Sequence, residues 1–266
     1  MTRPFYFLTI LFLIPFITGC QGSAKMPWED IKASELINKQ QPAGNKNMTV
    51  GLHIYLFRIK TDKLAQIQDQ IEQTNTVPVK YNDLVSFTAN GLTGCGGDRK
   101  SWQKIGPLIA EAEPKTKKHI NLLITENLSD DVVITETAKP VSIIYHSNDS
   151  TSGIGFDAGQ MVLRLKVSSL IGLRQACRLD VMPVYKITGQ ESGKILSGEK
   201  KHEFTFDSAA FSVRLQPGRY VLIAPANERQ KQTETQTIGN IISYRQTPED
   251  IADLCLIACD LINNPL

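Results

Sequence analysis

Beyond residue 20 the chain has no apolar run of the roughly 20 residues that a helix needs to cross about 30 Å of hydrocarbon. Charge is equally sparse. The formal net charge is +2, falling to +1 without Arg3, and nucleic-acid binders concentrate far more basic residues on one face. Two short basic clusters, Lys115-Lys117-Lys118 and Lys200-Lys201, read as solvated loop ends. There are only four histidines, His53, His119, His146 and His202, and no two stand at a metal-ligand spacing such as i, i+4. Each reads as a strand-face or turn residue. Cysteine is scarce too: after Cys20 there remain Cys95, Cys177, Cys255 and Cys259. Four cysteines allow three pairings, between which sequence does not choose, and a domain of this size can equally keep them as buried thiols.

What is present starts at the first residue. One basic residue, Arg3, precedes the apolar run Phe5 to Ile17, which ends in Ile17-Thr18-Gly19-Cys20. The run is too short to span a bilayer and has the shape of a secretory signal with a small-residue cleavage site. Its last four residues resemble a bacterial lipobox, the signature of exported lipoproteins. That resemblance implies cleavage before Cys20, lipidation of the Cys20 thiol and acylation of the new N-terminus. The partner so implied is a membrane, held through Cys20, since each buried CH₂ contributes about 0.8 kcal/mol and several chains anchor almost permanently. Gln21 follows the cysteine where an aspartate would mark retention. By resemblance to the sorting rule of some Gram-negative bacteria, this points to the outer membrane, facing the periplasm.

Residues 1–19 are therefore expected to be a signal peptide and 20–48 a polar tether lifting the folded part off the bilayer. Residues 49–116 read as an α/β module and 117–266 as a β-rich domain. Val50 to Ile59 alternates apolar and β-branched residues and predicts a strand. Thr61-Asp62 then caps a helix carrying Leu64, Ile67 and Ile71 on one face, and Val77 to Tyr81 is a short strand. The chain bends at Phe87 to Leu92, and Gly94-Cys95-Gly96-Gly97 reads as a turn. Ser101 caps a second helix with Trp102, Ile105, Leu108, Ile109 and Ala112 on one side. From Lys118 short strands alternate with turn signals, as an antiparallel sandwich or partial barrel requires. Residues 248–262 carry two readings. Thr247-Pro248-Glu249-Asp250 starts a helix well, yet Leu254 to Cys259 is a continuous apolar run suited to a buried strand.

Candidate chemistry is thin. Gly94-Cys95-Gly96-Gly97-Asp98 is the most suggestive local site, but Thr93 breaks the glycine spacing of a nucleophile elbow. Ser101 to Lys104 and Ser197 to Lys200 match Ser-x-x-Lys, without the Ser-Asp-Asn and Lys-Thr-Gly partners that chemistry needs. Asn148 to Gly153 has the glycine of a calcium loop, but its twelfth position is Gly159, so the bidentate ligand is missing. Cys255 and Cys259 lack both further metal ligands and Cys-x-x-Cys spacing. No catalytic, cofactor-binding or metal residue is expected. Lipidation at Cys20 is the one predicted site.

Two parts of the chain resemble the bacterial secretin family, the ring-forming outer-membrane channels of secretion and pilus systems. In residues 53–113 the order strand, helix, strand, Asn-x-Leu step (Asn90-Gly91-Leu92) and helix is similar to a secretin periplasmic module. In the C-terminal part, Leu215 to Ile223, the step Ile238-Gly239-Asn240-Ile241-Ile242 and the apolar Leu254 to Ile262 resemble the family's closing strands, with Ile242 in place of the step's proline. The resemblance implies a lipid-anchored relative keeping assembly modules without the pore. The expected fold is α+β, a small βαββα-like module followed by a mostly antiparallel β-sandwich or partial barrel. The expected function is non-enzymatic: binding a protein partner or forming a homo-oligomer, with strand edges and the helix face around Trp102 as contact surfaces, Trp102 itself reading as core ahead of interface. An envelope hydrolase built on Cys95 or a serine beside a histidine is the opposing class, and a ligand-binding sandwich a third.

Overall fold

The computed structural model describes residues 26–27, 47–112, 114–148, 150–188, 202–226, 235–243 and 251–263. The signal, Cys20, Lys200-Lys201 and Ser197 lie outside them. The architecture is α+β and mostly antiparallel, built in layers: helices on one sheet, and that sheet packed on a second.

The first sheet runs β3 (Leu92–Gly97), β12 (Tyr220–Pro225), β14 (Ile251–Asn263), β1 (Thr49–Lys60) and β4 (Lys115–Thr125). The second runs β2 (Val79–Tyr81), β11 (Phe211–Leu215), β9 (Leu173–Ile187), β8 (Gly159–Leu170) and β5 (Ser129–Thr137), with β10 (Glu203–Thr205) also on β9. A small third sheet joins β6 (Val141–Ser147) to β7 (Ser150–Phe156) and, in parallel, to β13 (Thr235–Thr237). Strands from residues 49–116 and from 117–266 are thus hydrogen-bonded neighbours within one sheet.

The alternation in β1 explains the layering. Val50, Leu52, Ile54 and Leu56 point into the core between the sheets, where they meet Met161, Leu163, Leu165, Leu179 and Val181. Tyr55, Phe57 and Ile59 point the other way and are covered by two helices, α1 (Leu64–Gln73) and, after the short α2 (Leu84–Ala89), α3 (Arg99–Glu111). Leu64, Ile67 and Ile71 of α1 and Trp102, Ile105 and Ile109 of α3 are all buried there. The last helix, α4 (Ile238–Ser243), closes the sandwich core with Ile238, Ile241 and Ile242.

β14 is the central strand of the first sheet. Leu254, Leu256 and Ala258 face the helices, while Cys255, Ile257 and Cys259 face the second sheet. Burial on both faces accounts for its continuous apolar text and decides for strand over helix, since a helix would bury one stripe only.

Several local expectations are corrected. The glycine-rich Gly94 to Gly97 is no turn but strand β3, where absent side chains admit neighbours. A Cβ on Gly97 would stand 2.2 Å from the Tyr220 ring, and one on Gly96 would stand 2.1 Å from the Val77 carbonyl oxygen. The bend at Phe87 is helix α2, capped by the Asp83 carboxylate, which accepts from the Val85 and Ser86 amides. Asp98, not Ser101, is the N-cap of α3. Its carboxylate accepts from the Ser101 amide at 3.0 Å, and Ser101 Oγ accepts from the Asp98 amide at 2.7 Å, a reciprocal capping box. Thr61 opens a 3-10 turn and makes no side-chain cap. Lys115 and Lys118 sit in β4 rather than at a loop end, and Ser150 to Gly153 belong to β7.

Candidate functional site

The polar residues that the fold gathers most closely lie at the β4 side of the first sheet, on its helix-side face beyond the helices. His53 on β1 is fully buried and stands opposite Asn121 on β4. Its Nδ1 lies 2.7 Å from Asn121 Oδ1 and 3.3 Å from Nε2 of His119, two residues along the same strand. Its Nε2 faces Asp260 Oδ2 on β14 at 3.6 Å. Asp260 is the extra residue of a bulge, since Gly51 pairs with Leu261 and Leu52 with Cys259. That irregularity turns its carboxylate toward the ring. His53 Nε2 and Asp260 Oδ2 are buried without any other hydrogen-bond partner. One proton between them would satisfy both atoms.

An aromatic ladder extends the cluster. His119 stacks on Tyr55 with centroids 4.2 Å apart and 5° between planes, and Tyr55 stacks on Phe57 at 5.8 Å. Burial, and next the neighbouring His53 ring, hold His119 below the ordinary histidine range. Burial, and next the Asp260 charge, push the Tyr55 hydroxyl up to about 12, and it donates to the Pro27 carbonyl at 3.2 Å. Met26 is buried in the same helix-side core. Met26 and Pro27, from the segment expected to be a tether, therefore lie on the domain.

This arrangement can hold and move a proton but supplies no nucleophile. Cys95 is fully buried on β3, its thiol pushed up to about 12 by burial, and among the described residues it has no histidine partner. A thiol there is inert. Ser101 Oγ is engaged with Asp98 and, at 2.9 Å, with the Tyr220 hydroxyl. No group of three or more His, Cys, Asp or Glu among the described residues is placed to hold a metal ion. All four described cysteines are buried, and among the described residues none is in a disulfide. His146 lies apart on β6, bonded through Nδ1 to Thr151 at 3.0 Å.

Reasoning from sequence treated the histidines singly. The signal that could have joined them was the period-2 parity of β1 and β4, which puts His53 and Tyr55 on one side of β1 and His119 and Asn121 on one side of β4. The register that sets His53 against Asn121 is a property of the sheet alone.

The second feature is the edge itself. Among the described residues β4 pairs only with β1, and β5, at the same side of the second sheet, pairs only with β8. The first half of β4 is guarded by Lys115, Lys118 and a bulge opposite Leu56/Phe57, while His119 to Thr125 is regular and partly apolar. Trp102, by contrast, is 4% exposed and packs edge-on against Tyr220 at 5.5 Å. The helix face around it is core and not a contact surface.

No protein-family model matches the chain, and no curated protein matches it. Among solved structures it is weakly similar to secretin domains. The InvG secretin domain β-barrel of the Salmonella SPI-1 injectisome aligns at 10% identity and a TM-score of 0.25, over 83% of this chain and 64% of that one. The InvG secretin in a near-atomic cryo-EM structure aligns at 11% and 0.23, over 83% and 66%. The secretin complex of ETEC, AspS–GspD, aligns at 10% and 0.20, over 80% and 47%. The chain spans less than two thirds of the first of these chains. At such TM-scores the likeness carries no argument about activity or partners.

Proposed function

We propose that the chain is a lipid-anchored protein of the cell envelope, held through Cys20, that acts without catalysis by binding a protein partner or a second copy of itself, in the manner of a secretion or pilus assembly component. The anchor rests on Arg3, the apolar run and the Ile17 to Cys20 lipobox. The assembly class rests on the secretin-like segments of the sequence, three of which are the neighbouring strands β1, β12 and β14.

The observation that carries the binding role is the open half of β4. An unpaired row of backbone N–H and C=O groups is a template for a further strand, and residues 119–125 lack the lysines and bulge that blunt the first half. A strand added there lies beside the His53–His119–Asp260 cluster, which makes that contact sensitive to protonation.

The test is the mass in solution of the full chain carrying Cys20→Ser, paired with hydrogen exchange along β4. A discrete oligomer in which the amides of 119–125 are protected supports self-association through this edge. A strict monomer whose β4, carrying a photo-crosslinker, captures no protein in cells would overturn the binding role.

A further inference from the structure

The tip of the β8–β9 hairpin has a composition that its turn does not need. Leu170 pairs with Leu173, so Ile171 and Gly172 are the two turn residues. Gly172 has the positive φ, 80°, that such a turn calls for. Isoleucine has no such reason: turn positions favour Asn, Asp, Ser, Gly and Pro, and a β-branched side chain gains nothing there from folding. Ile171 is nevertheless fully exposed, and Leu173 is 39% exposed. Leu128, in the turn joining β4 to β5, is 61% exposed.

Hydrogen bonds place these residues together at one end of the molecule, the end where the folded domain begins. The Glu126 amide donates to the Met48 carbonyl at 2.8 Å, just before β1. The Asn127 amide donates to the Val167 carbonyl at 2.9 Å, and the Glu126 carboxylate accepts from the Ser169 amide at 3.1 Å. The start of β1, the β4–β5 turn and the approach to the β8–β9 tip are thus tied together.

We infer that this end of the domain rests on the bilayer, with Ile171, flanked by Leu170, Leu173 and Leu128, inserted among the lipid acyl chains as a second membrane contact. The inference rests on the lipid-anchor reading above, and the geometry is compatible with it. Pro27 is bonded to Tyr55, which stands six residues along β1 from Thr49, about 20 Å at a strand's rise. Six residues of chain between Cys20 and Met26 also span about 20 Å when extended. A lipidated Cys20 therefore reaches the level of Thr49, at the end of the domain from which the β8–β9 tip projects. A convex apolar tip has no groove of its own to receive a protein segment, and a fluid acyl phase accommodates any such shape. A docked Met26 and an inserted tip would hold the domain against the membrane in one orientation.

The experiment uses the full lipidated chain in phosphatidylethanolamine–phosphatidylglycerol vesicles, with Ile171→Trp as reporter against the unsubstituted protein as baseline. Insertion predicts that the added emission is blue-shifted and quenched by lipids brominated on their acyl chains. With the anchor removed by Cys20→Ser, residual binding to the same vesicles should fall about tenfold or more on Ile171→Asp. Unquenched, water-like emission from a chain whose mass shows the acyl groups overturns the tip contact and leaves the anchor standing. A quenched tip on a chain without acyl groups does the reverse. Blue-shifted emission insensitive to bromolipid would assign the tip to a protein partner and also overturn the inference.

Discussion

Trp102 and Gly106 form a pair whose energetics test the helix layer. They stand one turn apart on α3, and the indole lies over the glycine: a Cβ built on Gly106 would stand 2.8 Å from Trp102 Nε1 and 3.0 Å from Cε2. The indole also packs edge-on against Tyr220, whose hydroxyl meets the Ser101 capping box. Trp102→Ala removes a nearly fully buried aromatic and leaves a cavity whose helical wall has no side chain to fill it. The expected cost is about 3–5 kcal/mol, or a melting temperature lower by about 6–20 °C at roughly 2–4 °C per kcal/mol for a domain of this size. Gly106→Ala alone drives a methyl into the ring, and Pro107, next in the helix, crowds the same methyl and offsets the helix propensity of alanine. Overpacking costs about 1–3 kcal/mol, so the net effect is loss. In the Trp102→Ala background the ring is gone and the same methyl occupies vacated space, so the loss shrinks by about 1–3 kcal/mol while the crowding against Pro107 remains. Urea unfolding of all four proteins followed by circular dichroism reads the cycle. If Gly106→Ala costs as much in both backgrounds, the packing described for α3 is wrong. If Trp102→Ala leaves stability unchanged, the indole is an interface residue after all.

Two further outcomes follow from the buried titratable groups. His119 is held below its unfolded range by burial and by His53, so below about pH 6.5 the unfolded chain binds more protons than the folded one. Its contribution to stability is complete above that pH and is lost as pH falls through the depressed value. Urea midpoints measured from about pH 8 to pH 5 should therefore fall more steeply for the unsubstituted protein than for His119→Gln, and equal slopes would refute this. Burial holds the Cys95 thiol above its ordinary range, a hydrogen bond with Cys177 and then burial hold that of Cys259, and Cys177 and Cys255 are buried with them. All four should resist an alkylating reagent in the native protein and react together on unfolding, and labelling of any one in the folded state would contradict this packing.

How far sequence reached depended on the range of the interaction. Periodicity located β1, the apolar face of α1 and that of α3, because each pattern is written in neighbouring residues: Leu64, Ile67 and Ile71 are buried as a 3.6-residue period requires. It misread Gly94 to Gly97 because glycine is as much a mark of close approach as of a turn, and what approaches is Tyr220, more than a hundred residues away. It left Leu254 to Cys259 undecided because a strand buried on both faces and a buried helix segment share one apolar text. Only the helices packed on one face of β14 and the second sheet packed on the other distinguish them. The histidine cluster was invisible for the same reason.

The sequence alone determined the lipobox-like start, the weak overall charge and the α+β class, since composition and short-range pattern are enough for these. Tertiary structure alone decided that Cys95 is sealed in a strand and that His53, His119 and Asp260 meet. It also decided that Ile171 is left in solvent beside the start of β1. Each of these depends on strand order and register, set by contacts between residues far apart in the chain, and no local spacing encodes them.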